Sequence, residues 1–478
     1  MRQNKKNNLI IMIKQFLSLA LFMSLSAGTM FAQKEGGLST DFVKALHQKE
    51  MKSGCKALRN AAASNSIDAL AKNNANKGGL DSYFSIETSK QSITDQKQSG
   101  RCWMFSGFNV LRSNFANRTD SLTVDLSQGY LFVYDQLEKS NLCLQGIIDN
   151  ANKPMEDELV QFFFQHPIND GGTFCGVSDL VDKYGLVPHD VMPETVSSND
   201  TKRISALVSS KLREYGLQLR QMVADKKSKK EIKAAKEEMI GTIYHMLTLA
   251  FGEPVQEFDY AFKNKDGKAV TPVKRYTPLT FAEEVVGHKL NGTFIMVMND
   301  PRREYYKTYE VEYDRHVYDG HNWKYLNLPM EEIADMAIAS LKGNTKMYSS
   351  YDVGKFLDGK RGYSSLDNFD YGTLFNTEFG MDKAQRIMTY DSGSTHAMTL
   401  VAVDLDANGK PTKWKVENSW TGSWGHNGYL IMTNEWFNEY MFRLVINKKY
   451  VPAKIQKMYE QKPTMLMPDD PLFLPDAE

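Results

Sequence analysis

The sequence predicts an α+β protein whose helices and strands are segregated along the chain. Two observations carry this reading. Between 102 and 251, apolar residues recur at three- and four-residue spacing, the period of a helix with one buried face. After 270 they gather instead into short runs rich in β-branched and aromatic residues, such as "TFIMVMND", "HAMTLVAVD" and "KWKVENSW". A chain of 478 residues is long enough to bury a sizeable core under both.

The first 32 residues, "MRQNKKNNLIIMIKQFLSLALFMSLSAGTMFA", have a basic start, an apolar run and a small-residue end. That is the layout of a secretory signal peptide, so the protein is expected to be exported, periplasmic or secreted, with the mature chain starting near Gln33. Lys14 splits the apolar run and leaves about a dozen residues, short of the roughly 20 that a membrane span needs. No later segment approaches that length, and no stable membrane span is expected. The chain has 58 basic and 58 acidic residues, but Arg2, Lys5, Lys6 and Lys14 fall in the leader, which holds no acid. The rest is slightly acidic and has no general attraction to nucleic acid.

Residues 33–93 are polar and read as an N-terminal arm with a short helix and a loop. Residues 94–200 form a helical part. Within it Met104, Phe108, Leu111 and Phe115 fall at i, i+4, i+7 and i+11, one stripe of a buried helix. Residues 201–262 hold a helical hairpin: 202–251 contain no proline and only two glycines, with lysines and glutamates on the wet face. Residues 263–455 are β-rich. The tail, 456–478, has four prolines and reads as an extended segment.

The stretch "DQKQSGRCWMFSGFNVLRSNF" places Cys102 at the start of the buried helix. Unpaired N–H groups and the helix dipole there favour a thiolate, and Arg101 could add to this. Taken alone, a cysteine reads first as a small buried hydrophobe, and the flanking sequence has to overturn that. A thiolate nucleophile needs a base, and the base needs an orienting group. In "STHAMTLVAVDLDANGKPTKWKVENSW", His396 opens one β run and Asn418 closes the next, and their midpoint, 407, is also the centre of the turn segment from Asp404 to Lys410, which carries an Asn-Gly pair. A hairpin folded there brings them opposite or nearly opposite. The asparagine can then accept from one ring N–H and aim the other nitrogen at the cysteine.

With Gln96, Cys102-Trp103, His396 and "ENSW", the chain resembles the papain-like cysteine peptidases. It is most similar to their bleomycin hydrolase and aminopeptidase C branch, through "LSQGYLFVYDQLEKSN", "DGGTFCGVSDLVDKYGLVPHDVMPE", "NDPRREYYKTYEVEY" and further stretches along nearly the whole mature chain. The resemblance implies a papain-like fold, a helical part beside an antiparallel β-barrel-like part, with a helical insertion. It implies a thiol-dependent aminopeptidase acting on peptides, needing no cofactor or metal, commonly a homohexamer with its active sites inside. Cys102 would be the nucleophile, His396 the general acid/base, Asn418 its orienting group and Gln96 an oxyanion donor. Trp420 would cover the His396–Asn418 bond. Gly171 and Gly172 would let a substrate backbone approach, although an ordinary Gly-Gly turn reads equally well.

Three departures stand out. Ser99 occupies the position where many papain-like enzymes have a disulfide cysteine, as fits this branch. "NSWT" replaces "NSWG" after the asparagine. The tail resembles the branch's ending only around Asp470-Pro471, so the carboxylate that meets the substrate's α-amine is unplaced, and an endopeptidase, a dipeptidyl peptidase or an inactive peptide-binding scaffold stay open as readings. Cys55, Cys143 and Cys175 leave open which two, if any, pair.

Overall fold

The structure is a computed structural model that describes residues 36–52, 56–76, 81–120 and 122–473. The expected signal peptide, 1–32, lies outside these. The chain divides into two compact units, one up to Lys72 and one from Asn73 onward. This boundary falls inside the segment read as an arm. The described residues of the first unit include the helices Thr40–Lys52, Lys56–Ala62 and Ile67–Ala71, the last capped by Ser66, whose side chain accepts from Ala69 N. Residues after Lys72 join the second unit because Ile86–Glu87 pairs with a central strand of its sheet.

In the second unit the helix α1 (Cys102–Arg118) is buried on nearly every side. The expected stripe of Met104, Phe108, Leu111 and Phe115 is buried, and so are Trp103, Phe105 and Val110 from its other faces. Helix α1 therefore runs through the protein rather than along its surface. Around it lie α2 (Gln128–Asp149) and α3 (Phe174–Tyr184). Helices α4 (Lys202–Ala224) and α5 (Lys229–Phe251) form a hairpin that packs on α2. The hairpin turns at Lys226, whose φ is +56°, and α5 starts with a capping box: Ser228 Oγ accepts from Glu231 N while Glu231 accepts from Ser228 N.

The C-terminal half forms one mixed sheet. Its named strands are β1 (Phe294–Met298), β2 (Thr308–Val311), β3 (Lys324–Asn327), β4 (Met347–Tyr351), β5 (His396–Leu405), β6 (Pro411–Glu417), β7 (Tyr429–Thr433), β8 (Met441–Asn447) and β9 (Thr464–Leu466). Their order is β9-β2-β3-β1-β8-β4-β5-β6-β7, and two short strands beyond β7 complete the edge. Most neighbours run antiparallel; β9 joins β2 in parallel. The tail is thus not extended throughout. Its first residues complete the helix Ala453–Tyr459, held by buried Ile455, before β9 adds to the sheet.

The β5–β6 hairpin turns where the sequence places it, with Gly409 at φ +77°. Thr399 pairs with Glu417, so His396 stands diagonal to Asn418 rather than directly across, still within reach of a side chain. Register shifts between Leu400 and Ala402, and between Asp404 and Leu405, break the simple midpoint symmetry.

Glu417, the residue before Asn418, is fully buried and pairs with buried Lys346 at 2.7 Å. Removing one partner leaves an uncompensated charge inside the sheet. Lys346→Met should therefore lower unfolding stability by roughly 3–5 kcal/mol, measured by denaturant titration. A loss under about 1 kcal/mol would mean that the pair is not isolated from water.

Candidate active site

The cleft that contains Cys102 has a volume of about 360 Å³ and is also lined by Gln96, Gly171, Gly172 and His396. Cys102 begins α1, where Met104 N and Phe105 N both return to Arg101 O, so the sulfur sits on the first turn. The backbone N–H of Ala397 donates to Cys102 Sγ at 3.5 Å, which sets the thiol against the first residues of β5. Cys102 is half-buried, whereas Cys143 and Cys175 are sealed in the core, and burial pushes the Cys143 thiol up to about 12. Cys102 is thus the accessible thiol of these three. Cys55 lies outside the described residues.

His396 donates from Nε2 to Asn418 Oδ1 at 2.8 Å. That bond fixes the tautomer: a neutral ring that donates from Nε2 carries its lone pair on Nδ1, the atom then available to take a thiol proton. Burial lowers the His396 pKa to about 4, against the opposing effect of the Asn418 bond. Asn418 Oδ1 accepts a second bond from Ser419 N at 2.8 Å, and Nδ2 is buried with no partner. The two bonds to Oδ1 set the orientation of the amide. The Trp420 ring stacks on His396, with centroids 4.5 Å apart and planes 30° apart, and screens the ring from water.

Gln96 is buried beside them. Its Oε1 accepts from Ser419 Oγ at 2.6 Å, its Nε2 donates to Ser99 O at 2.6 Å, and its backbone N–H reaches Ser419 O. Ser99 takes one of the two hydrogens on Nε2; the other is the donor that the amide has for an oxyanion. Ser419 thus ties Gln96 to the strand end that holds Asn418, a contact that the sequence reading missed.

Arg101 makes its hydrogen bonds away from the thiol: its guanidinium is fully buried and engaged by Glu194 at 2.8 Å, Ser198 O and Ser99 Oγ. Gly172 lines the cleft and is also closely packed, since a Cβ there would meet the His316 ring at 2.2 Å and Trp103 at 2.9 Å. Only Gly171 has room beside it, where a Cβ would meet nothing nearer than Asn169 Oδ1 at 3.4 Å. The wall that carries these glycines is braced from behind. Lys139 donates to the carbonyls of Gly171 and Asn169 and pairs with buried Asp135, which also holds His316. Thr421, where a glycine is usual, sits at φ +72°, a strained value for a β-branched residue.

The tail enters the cleft. Pro468, Leu472 and Phe473 line it, and residues 474–478 lie outside the described residues. Asp470 anchors this segment between Arg302 at 2.9 Å and Arg303 at 2.6 Å, both of which also bind fully buried Asp300. Burial alone would raise the Asp470 pKa, but the two arginines hold it below the usual carboxylate range. Among the described residues no cluster of three or more His, Cys, Asp or Glu is arranged to hold a metal ion, and no helix is long and apolar enough to cross a membrane.

Residues 37–473 match the Peptidase C1-like family. The chain is 36% identical to Aminopeptidase C of Lactobacillus delbrueckii subsp. lactis over 418 residues, 86% of this chain and 92% of that one. It is also 36% identical to human bleomycin hydrolase, over 80% of this chain and 85% of the other. The crystal structure of PepW from Lactobacillus rhamnosis superposes with a TM-score of 0.86 at 36% identity, covering 91% of this chain and 99% of that one. The fold is accordingly α+β and papain-like.

Because burial lowers the pKa of His396, the ring stays neutral well below the usual histidine range. In Cys102→Ala protein, the His396 ring signals should titrate near pH 4 by NMR; a midpoint at or above 6.5 would contradict the burial argument. The unfolded ring binds its proton at higher pH than the folded one, so this group's contribution to stability declines as pH falls from about 6.5 toward 4. Asn418→Ala frees the ring to rotate and should lower kcat about 10²-fold, with a smaller change in KM.

Proposed function

The chain belongs to the Peptidase C1-like family, and on that premise we propose that it is a thiol-dependent aminopeptidase that removes residues from the amino end of peptides. The observation that carries this reading is the arrangement at one end of the cleft. The Cys102 sulfur stands at a helix start beside a buried His396 whose Nε2 is committed to Asn418, and the chain's own tail fills part of the same cleft.

Cys102 is the nucleophile, His396 the general acid/base, Asn418 its orienting group and Gln96 the oxyanion donor. The thiol gives its proton to His396 Nδ1 and the sulfur attacks the carbonyl of the first peptide bond. The oxyanion is met by Gln96 Nε2 and the Cys102 backbone N–H. His396 returns the proton to the departing amine and leaves a thioester. A water then attacks the thioester, His396 takes its proton and returns it to Cys102 as the acid leaves. The tail, held by Asp470, limits how much chain fits on the amino side of the scissile bond.

We further infer that residues 1–32 direct export, on their basic-apolar-small layout, and that the protein assembles as a homohexamer, on its family resemblance. Light scattering of the mature protein should give the mass of six subunits. Mass spectrometry of the exported protein should place the amino terminus near Gln33.

A fluorogenic peptide series with free and acetylated amino termini tests the activity under reducing conditions. Free-amine peptides should lose one residue at a time and acetylated ones should resist, with turnover abolished in Cys102→Ala and reduced about 10²- to 10³-fold in Gln96→Ala. Equal cleavage of acetylated peptides would make the protein an endopeptidase. Asp470→Asn, which loosens the tail, should raise cleavage of acetylated peptides above the wild-type level.

A further inference from the structure

Asp314 is a half-buried carboxylate that the catalytic scheme does not use. It lines the cleft of Cys102 and His396, and its Oδ2 is sealed from solvent with no hydrogen-bond partner. Among the described residues it forms no ion pair. Burying a carboxylate without partners is costly, and native structures seldom leave one so unless something else completes it.

The cations around it make their hydrogen bonds elsewhere, with the buried Nε atoms of Arg315 and Arg443 left unpartnered. Arg443 donates to Leu472 O at 3.1 Å and lies over the rings of Trp323 and Phe473. Lys139 is held by Asp135 and by the carbonyls of Gly171 and Asn169, and His316 by Asp135 and Thr173 N. Arg315 turns its guanidinium to Asn322 and the ring of Tyr313. Burial pushes the Asp314 carboxyl up, and the attraction of Arg443, His316 and Lys139 only partly offsets this. A cation arriving in the cleft would offset the solvation that the carboxylate has lost.

We propose that Asp314 is the receptor in the cleft for a positively charged group of the peptide, an ammonium or guanidinium on its first residue, and so favours substrates that carry one there. Placing that charge on the first residue rests on the aminopeptidase reading. The charge has two possible sources, the α-amine or a lysine or arginine side chain. Either would exchange the solvation lost by Asp314 for a charge-assisted hydrogen bond.

The test compares wild type with Asp314→Asn on the same fluorogenic amides of lysine and of norleucine, each with a free and an acetylated α-amine. Asp314→Asn should lower kcat/KM roughly 30-fold on positively charged substrates, mainly through KM. It should leave the rate of Cys102 alkylation unchanged, and neutral acetyl-norleucine amide should resist both proteins. A loss confined to lysine substrates identifies the side chain as the partner; an equal loss on both free-amine substrates identifies the α-amine. Asp314→Glu, which keeps the charge, should recover part of the loss. Changes within twofold on every charged substrate would overturn the proposal. So would a loss on them accompanied by slower Cys102 alkylation, since that marks a deformed site. Wild-type cleavage of acetylated peptides would count against the aminopeptidase reading alone, because each comparison here is made on a single substrate.

Discussion

The hydrogen bond from His396 Nε2 to Asn418 Oδ1 is the contact on which the rest of the site depends. It decides which ring nitrogen carries the lone pair, and it is made where water cannot compete, beneath Trp420 and inside the sheet. Much of the surrounding architecture keeps that bond in register. The β5–β6 hairpin sets the two residues diagonally, the buried Lys346–Glu417 pair anchors the strand end before Asn418, and Ser419 carries the alignment on to Gln96. The thiol arrives from the other half of the fold, on a helix so enclosed that its first turn has little freedom to move. Two rigid bodies of unlike secondary structure therefore meet at one cleft, and the reacting atoms belong to their ends.

The opposite side of the cleft is shaped by charge and by the chain's own terminus. Two arginines close on Asp470 and commit the tail to the groove, while Arg443 spends its guanidinium on the tail's Leu472 carbonyl and on aromatic faces. Asp314 remains as a carboxylate that makes no ion pair among the described residues. A groove shortened by its own tail and carrying one uncompensated negative group suits a short, positively charged chain end better than the middle of a neutral chain.

The parts of this site that were legible in the sequence are those governed by local rules. Cys102 at a helix start, the Asn-Gly turn and the strand ends bearing His396 and Asn418 all follow from period and turn chemistry. The resemblance to papain-like peptidases supplied Gln96 and Trp420, which no local pattern marks. What could not be read depended on contacts between distant segments. Nothing near Arg101 in sequence shows that Glu194 neutralises it, and Gly172 looks like a turn until His316, far along the chain, packs on it. The pairing of Asp470 with Arg302 and Arg303 and the isolation of Asp314 are likewise tertiary facts. The near-symmetric placement of His396 and Asn418 missed the two-residue offset because β-bulges leave no signature in hydrophobic alternation.

The central claim is that Cys102 carries an acyl group made of one residue from the amino end of a peptide. The most direct measurement is mass spectrometry of the protein, acid-quenched during turnover of an activated peptide ester and digested to locate the adduct. The account predicts a thioester on the Cys102 peptide whose mass equals a single aminoacyl group. A longer acyl group on Cys102, or none there while product accumulates, would contradict it.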